Sequence, residues 1–269
     1  MIWALATALA LGLLYYRAHR NTYKPDFKHI ELKINEKWTR EPIQILHLSD
    51  LHMENISITP TQLYEQLVKK EIDIIALTGD YLDKAKNIEK FLDYLHVLHK
   101  LKPKHGIYVV FGNHDYLLKK QIPYFRKRIE ETGTIVLVNE NKTISIDGQI
   151  INVIGIDDSY SNHHDILKAY KGIAENGINL VLSHDPHIVL EMDGYPFDYL
   201  LSGHFHGGQI NYPKPYHLAK MGKFASQNII KGLHFHKEMP FYISAGLGQT
   251  GLNIRLLSRP EITLHTLVN

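Results

Sequence analysis

The chain reads as an α/β protein, a pair of mixed β-sheets flanked by helices, and three observations predict it. Short β-rich runs alternate with amphipathic helical runs in the first half, the order that βαβ units produce, and a hairpin signal follows. The 269 residues suit one large α/β domain or two small ones, each able to bury a core. The composition, 44% hydrophobic and 22% charged, is globular and excludes disorder, collagen and coiled coil.

Charge and cysteine content narrow the function. Lys plus Arg number 30 and Asp plus Glu 28, a formal charge of +2, so no bulk field gathers nucleic acid and no such partner is expected. The lack of cysteine excludes disulfide staples, thiolate catalysis and Cys-ligated zinc. Histidine is abundant, at 18 residues, and where it clusters with Asp and Asn metal chemistry is the first expectation.

Residues 2–16 form an apolar run with Trp3, Leu5, Leu9, Leu11, Leu13 and Leu14, closed by Tyr15, Tyr16, Arg17 and Arg20. Fifteen residues fall short of the roughly 20 that cross a bilayer, but flanking aromatic and snorkelling side chains extend the reach. No basic residue precedes the run and no small-residue cleavage site follows it. An uncleaved single-pass membrane anchor over residues 1–20 is therefore favoured over a cleaved signal or a buried first helix. Arg17, Arg20, Lys24 and Lys28 follow the span, which puts the body of the protein on the cytoplasmic side of the cell membrane. Residues 21–40 read as a polar tether running into a first strand, and 41–269 as the globular domain.

Within that domain, strands are predicted at 43–48, 72–77, 107–111, 135–138, 150–156, 180–182, 197–201, 241–244 and 261–267. Thr59, Pro60 and Gln62 mark a capped helix start, with Leu63, Leu67 and Val68 as its apolar face. Ile88, Phe91, Leu92, Leu95 and Leu98 recur at helical spacing. Asp147-Gly148 between two β-rich runs is a two-residue hairpin turn. Five predicted strands end in polar clusters. After 43–48 come Asp50 and His52, which in extended backbone point to one side and can share an ion. After 72–77 come Gly79, Asp80 and Asp83, and a carboxylate beyond that strand end is placed to bridge two cations. Asn113, His114 and Asp115 follow 107–111, His184 and Asp185 follow 180–182, and His204 and His206 follow 197–201. One Asp or His after a strand is usually a cap or turn residue; five such clusters in order are not coincidence.

The ordered blocks Asp50-Leu51-His52, Gly79-Asp80-Tyr81-Leu82-Asp83, Gly112-Asn113-His114-Asp115, His184 and Gly203-His204-Phe205-His206 resemble the signature of the calcineurin-like metallophosphoesterases. The resemblance covers about residues 41–267. The ending, Ser244-Ala245-Gly246-Leu247-Gly248 with Arg259-Pro260-Glu261, resembles a membrane-associated branch that includes UDP-2,3-diacylglucosamine pyrophosphatases. Asp115 stands where the family often has Glu, and Phe205 where Thr or Ser is common; neither is a ligand position.

The resemblance implies a four-layer αββα sandwich and two divalent or trivalent metal ions, Mn, Fe or Zn. Asp50, His52, Asp80 and His206 would hold one and Asp80, Asn113, His184 and His204 the other, with a hydroxide between them as nucleophile. His114 would contact the phosphoryl oxygen or protonate the leaving group, and Asp83 would orient His114 or a ligand imidazole. The activity implied is hydrolysis of a phosphoric ester or pyrophosphate, which the anchor directs towards a lipid-linked or cell-envelope intermediate. A fold-conserving scaffold without catalysis and a nucleic-acid phosphodiesterase are the alternatives; the complete ligand set argues against the first and the near-neutral charge against the second.

Other polar residues are expected to do less. Asp157, Asp158 and Asp185 read as turn or cap residues, and His163, His164, His234 and His236 as surface or substrate-loop residues. Arg255, after a glycine-bearing stretch, is a candidate to meet a phosphate. The irregular stretch 212–239, with five lysines among apolar residues, reads as an insertion packed on the rim, ahead of a surface resting on anionic lipid.

Overall fold

A computed structural model describes residues 1–34, 41–212, 214, 215, 218 and 220–269. In chain order the strands are β1 (Asp26–Lys33), β2 (Ile43–Leu48), β3 (Ile74–Thr78), β4 (Ile107–Val110), β5 (Ile135–Val136) and β6 (Glu140–Ile146). They continue as β7 (Gln149–Gly155), β8 (Ile178–Leu182), β9 (Tyr199–Ser202), β10 (Gly232–His236), β11 (Met239–Ile243) and β12 (Glu261–Val268). The longer helices are α1 (Ile2–Asn21), α2 (Pro60–Leu67), α3 (Ile88–Lys100) and α4 (Ile122–Glu130). Two six-stranded mixed sheets result, in the orders β1-β12-β2-β3-β4-β5 and β10-β11-β9-β8-β7-β6.

Alternation along the strands builds three apolar layers. Ile43, Ile45, Ile74, Ala76 and Val110 of the first sheet face Val153, Leu180, Leu182 and Leu201 of the second. The intervening residues Leu46, Leu48, Ile75 and Leu77 turn outward against Leu63, Leu67, Phe91, Leu95 and Phe125 of α2, α3 and α4. On the far face, Ile154, Val181, Leu200 and Ile243 are covered by Ile188, Val189, Phe205 and Phe224, from short helices and loops. This is the αββα sandwich, with one outer layer of full helices and one of single turns.

Several local readings carry over directly. Thr59 caps α2, its hydroxyl accepting the Gln62 N–H while its own N–H donates to the Gln62 side chain. Asp147 and Gly148 both take positive φ, 48° and 83°, as a two-residue turn joining β6 and β7 requires. In the stretch 212–239, Leu218, Phe224 and Ile230 are buried in the outer core and β10 pairs with β11, while Tyr212 and Phe235 stay exposed.

The N-terminus corrects the expectation of a single-pass anchor. No helix among the described residues is long and apolar enough to cross a membrane. The apolar run supplies only the first 15 residues of α1, and the same helix continues through Arg17, His19 and Arg20. At 1.5 Å per residue, 15 residues rise about 22 Å against the roughly 30 Å of a bilayer core. The cytoplasmic placement, which rested on that span, falls with it. Residues 21–34 do run into a first strand, β1, and the end of α1 before them is docked: Ala18 is buried and its carbonyl accepts the Arg255 N–H. The Asn21 amide donates to the Arg255 carbonyl, Thr22 meets Ser57, and β1 lies parallel to β12. Residues 35–40 of the predicted tether lie outside the described residues.

Candidate metal centre

Parallel strands deliver the polar clusters to one edge of the sandwich. β2, β3 and β4 run parallel in one sheet and β7, β8 and β9 in the other, and the loops after β2, β3, β4, β8 and β9 meet beyond their carboxyl ends. Asp50, His52, Asp80, His204 and His206 all have φ between 41° and 78°. This left-handed region is costly for residues with a Cβ and marks functional turns. Asp50 and His52 thus converge through a sharp turn after β2, not through the strand alternation expected of them. Two glycines make room for the carboxylates. A Cβ at Gly112 would stand 2.3 Å from Asp80 Oδ1, and one at Gly203 2.2 Å from Asp50 Oδ2.

Two clusters of metal-competent atoms form, Asp50–His52–His206 and Asp80–His184–His204, each within 4.8 Å, with a third grouping of His52, Asp80 and His114 overlapping them. His206 Nε2 lies 3.3 Å from Asp50 Oδ1 and 3.1 Å from His52 Nε2. His52 Nε2 is 3.6 Å and His184 Nε2 3.1 Å from Asp80 Oδ2, so Asp80 stands between the clusters. His204 Nδ1 is 3.1 Å from His184 Nε2. Asn113 Oδ1 and His204 Nε2 are buried with no hydrogen-bond partner among the described residues. Buried polar atoms are rarely left so. Facing imidazole nitrogens, orphaned lone pairs and carboxylates without thiolate suit a pair of first-row divalent cations.

Protonation fits this reading at several positions. Burial, with positive neighbours, lowers His204 to about 4 and His206 well below 6.5, leaving both neutral with lone pairs to give. Burial disfavours the Asp80 carboxylate, yet His184, His52 and His114 outweigh it and hold Asp80 well below its usual range. Burial pushes Asp50 up. His184 Nδ1–H donates to the Thr78 carbonyl at 2.8 Å, which turns Nε2 towards Asp80. Asp83 Oδ1 stands 2.9 Å from His114 Nδ1 and is held ionised by hydrogen bonds from His114 and His52. Burial opposes charge on His114, but the hydrogen bond to Asp83 and the charges of Asp80 and Asp83 raise it to about 9.

Some residues do other work than their sequence context suggests. Arg255 is fully buried and donates to the carbonyls of His206, Ala245, Gly246 and Gly248, so it braces the His206 loop and has no reach towards a phosphate. Asp115, given no role on sequence grounds, is also buried, and its carboxyl accepts the N–H groups of Gly112, Asp80, Tyr81 and Leu82. Burial and the nearby Asp80 push its pKa up, against those four donors. Its sequence signal was its place at the end of the third block, where the family often has Glu. Asp158 and Asp185 close turns, accepting the Ser161 and His187 N–H groups, and Tyr116 donates to Asp157. His163 stacks on Tyr116, His164 meets Glu191 and His234 the Lys231 carbonyl; none of them, nor His236, lines the site cavity.

Two adjoining cation-sized clusters sharing a carboxylate at the mouth of a two-sheet sandwich are the layout of a metal-dependent phosphoester hydrolase. Sequence comparison reaches the same class: residues 43–208 match the calcineurin-like phosphoesterase family, to which the chain belongs. It is 54% identical over 254 residues to the Bacillus subtilis metallophosphoesterase YkoQ, covering 93% of each chain. It is 28% identical over 237 residues to the Escherichia coli phosphodiesterase YaeI, covering 84% of this chain and 83% of that one. Similarity to the Chlamydia trachomatis UDP-2,3-diacylglucosamine pyrophosphatase LpxG is 26% identity over 278 residues and 82% of each chain.

Proposed function

We propose that the chain hydrolyses phosphodiester or pyrophosphate bonds with two cations, Mn, Fe or Zn. Asp50, His52, Asp80 and His206 hold one, and Asp80, Asn113, His184 and His204 the other. The observation that carries this is the pair of adjoining clusters with the Asp80 carboxylate between them, beside an Asn113 Oδ1 that is buried without a hydrogen-bond partner among the described residues. Such a metal pair supplies a nucleophile at neutral pH and Lewis acidity at the phosphoryl oxygens.

The protein's own groups do the rest. Asp83 accepts a hydrogen bond from His114 Nδ1–H, so the Nε2 of His114 is the atom that hydrogen-bonds the phosphoryl oxygen or gives a proton to the leaving oxygen. Thr78 fixes the ring of His184, and Arg255 and Asp115 fix the loops that carry His206 and Asp80. Similarity to a phosphodiesterase and to a UDP-2,3-diacylglucosamine pyrophosphatase supports diesters and pyrophosphates, and a lipid-linked intermediate among them. The full chain supplied with Mn is expected to cleave bis-p-nitrophenyl phosphate faster than p-nitrophenyl phosphate, and His204→Ala to lose both activities. Turnover of neither compound, or full activity in His204→Ala, would refute the assignment.

A further inference from the structure

The cavity at the ligand cluster, about 250 Å3, has unlike walls. Among the described residues, Asp80, Asn113, His114, His204 and His206 with Gln209 and Thr250 line it with polar groups, and Tyr160, Phe205, Leu218 and Met221 with apolar ones. Its volume is below the roughly 300–1,000 Å3 of pockets that enclose a whole drug-sized ligand. A phosphoryl group and the groups bonded directly to it therefore fill it.

Tyr160 is the exposed member of the apolar wall, at 53%, while Phe205 and Leu218 are buried. Its loop is pinned: Asp158 accepts the Ser161 N–H at 2.8 Å, the His163 N–H donates to the Asp158 carbonyl, and the Ser159 hydroxyl donates to Asp185. The ring rests against His204, centroids 4.8 Å apart. His114 lies at the other end of the cluster, 4.8 Å from the ring of His52. A diester that turns its leaving oxygen towards His114 directs its second ester group to the His184–His204 end, where Tyr160 stands.

We propose that Tyr160, with Met221 and Leu218 beside it, is the platform for the ester group that stays on phosphorus, and that it selects ring-bearing groups over small ones. The inference rests on the hydrolytic reading above. An open aromatic face held by a pinned loop presents contact area at little ordering cost, and ring stacking adds to the area buried. The polar wall orients the phosphoryl group, and the apolar wall sorts what is attached to it.

Two diesters that share a leaving group isolate the retained one: bis-p-nitrophenyl phosphate and methyl p-nitrophenyl phosphate, with the full chain and Mn. Tyr160→Ala is expected to raise KM for the bis-aryl ester by about 2- to 10-fold, as loss of one aromatic contact implies. Its effect on KM for the methyl ester should be smaller, and Tyr160→Phe should behave as wild type. Equal effects on both esters, or none, would overturn the proposal. Calorimetric binding of phenylphosphonate and of inorganic phosphate to the Mn-loaded protein gives a second reading without turnover. Tyr160→Ala should weaken the first several-fold and spare the second; parallel changes would overturn the platform. If the wild type turns over neither ester, the hydrolytic assignment fails, and the binding comparison still decides the role of Tyr160.

Discussion

Replacing Asp115 by Asn breaks the frame of the site without touching a ligand. One carboxyl oxygen accepts the N–H groups of Asp80 and Gly112 at 2.9 Å each, and the other accepts those of Tyr81 at 2.8 Å and Leu82 at 3.3 Å. The side chain is 0% exposed, so water cannot substitute. Asn keeps one oxygen and turns an N–H2 group towards two of these donors. Two buried donors lose their acceptor at about 1–3 kcal/mol each, a loss of about 2–6 kcal/mol in folding stability. Urea unfolding followed by circular dichroism reads that loss as a lower midpoint at unchanged slope. Because the donors belong to the loops that carry Asp80 and Asn113, Mn affinity should also fall, by about 10- to 100-fold as for other groups that orient ligands. A midpoint within about 0.5 kcal/mol of wild type, the range of an ordinary surface change, would refute the role given to Asp115.

Acid sensitivity should come in part from between the sheets, where buried His47 is lowered by desolvation to about 3 and His265 well below 6.5. Both are neutral when folded and gain protons when unfolded, so their stability is full above pH 6.5 and is lost as pH falls from there towards 3. The slope is about 1.4 kcal/mol per pH unit for each group, and His47→Gln should flatten the urea midpoint between pH 6 and 4 by one such share. Removing residues 1–16 should leave the unfolding midpoint in place. Removing 1–23 strips the contacts of Ala18, His19, Asn21 and Thr22 with Arg255, Asn253 and Ser57, costing about 4 kcal/mol at about 1 kcal/mol per bond; equal midpoints for the two truncations would contradict this docking. His114→Ala should cut kcat about 100- to 10,000-fold with bound metal unchanged, and loss of metal in that variant would instead make His114 a ligand.

Much of the sandwich was legible because its strands are short branched-aliphatic runs whose alternation survives burial on both faces. β2 matches its predicted span, 43–48, and the Asp147-Gly148 turn set the register of β6 and β7. The convergence of the polar clusters was legible for a related reason: they were concentrated after strands that the fold makes parallel. What escaped depended on distant partners. The partner of β1 is more than 200 residues away in β12, and no local pattern announces that pairing. The apolar run in α1 resembled an anchor because flanking aromatic and snorkelling side chains were expected to extend its 15 residues, whereas the cationic turn that continues the helix docks on the body of the protein. Arg255 looked available to a phosphate because a sequence does not show the four carbonyls that surround it. Left-handed φ at Asp50, His52, Asp80, His204 and His206 was equally invisible, since these residue types adopt it only where tertiary contacts impose it.

Metal binding to the full chain tests the central claim most directly. Mn titration with spectroscopic detection of spin coupling should show two ions per wild-type chain, close enough to interact. Asp80→Asn, which alters the carboxylate standing between the clusters, should abolish the coupled signal and the hydrolysis together. A single ion per wild-type chain, or an unchanged coupled pair in Asp80→Asn, would contradict a two-metal centre built on Asp80.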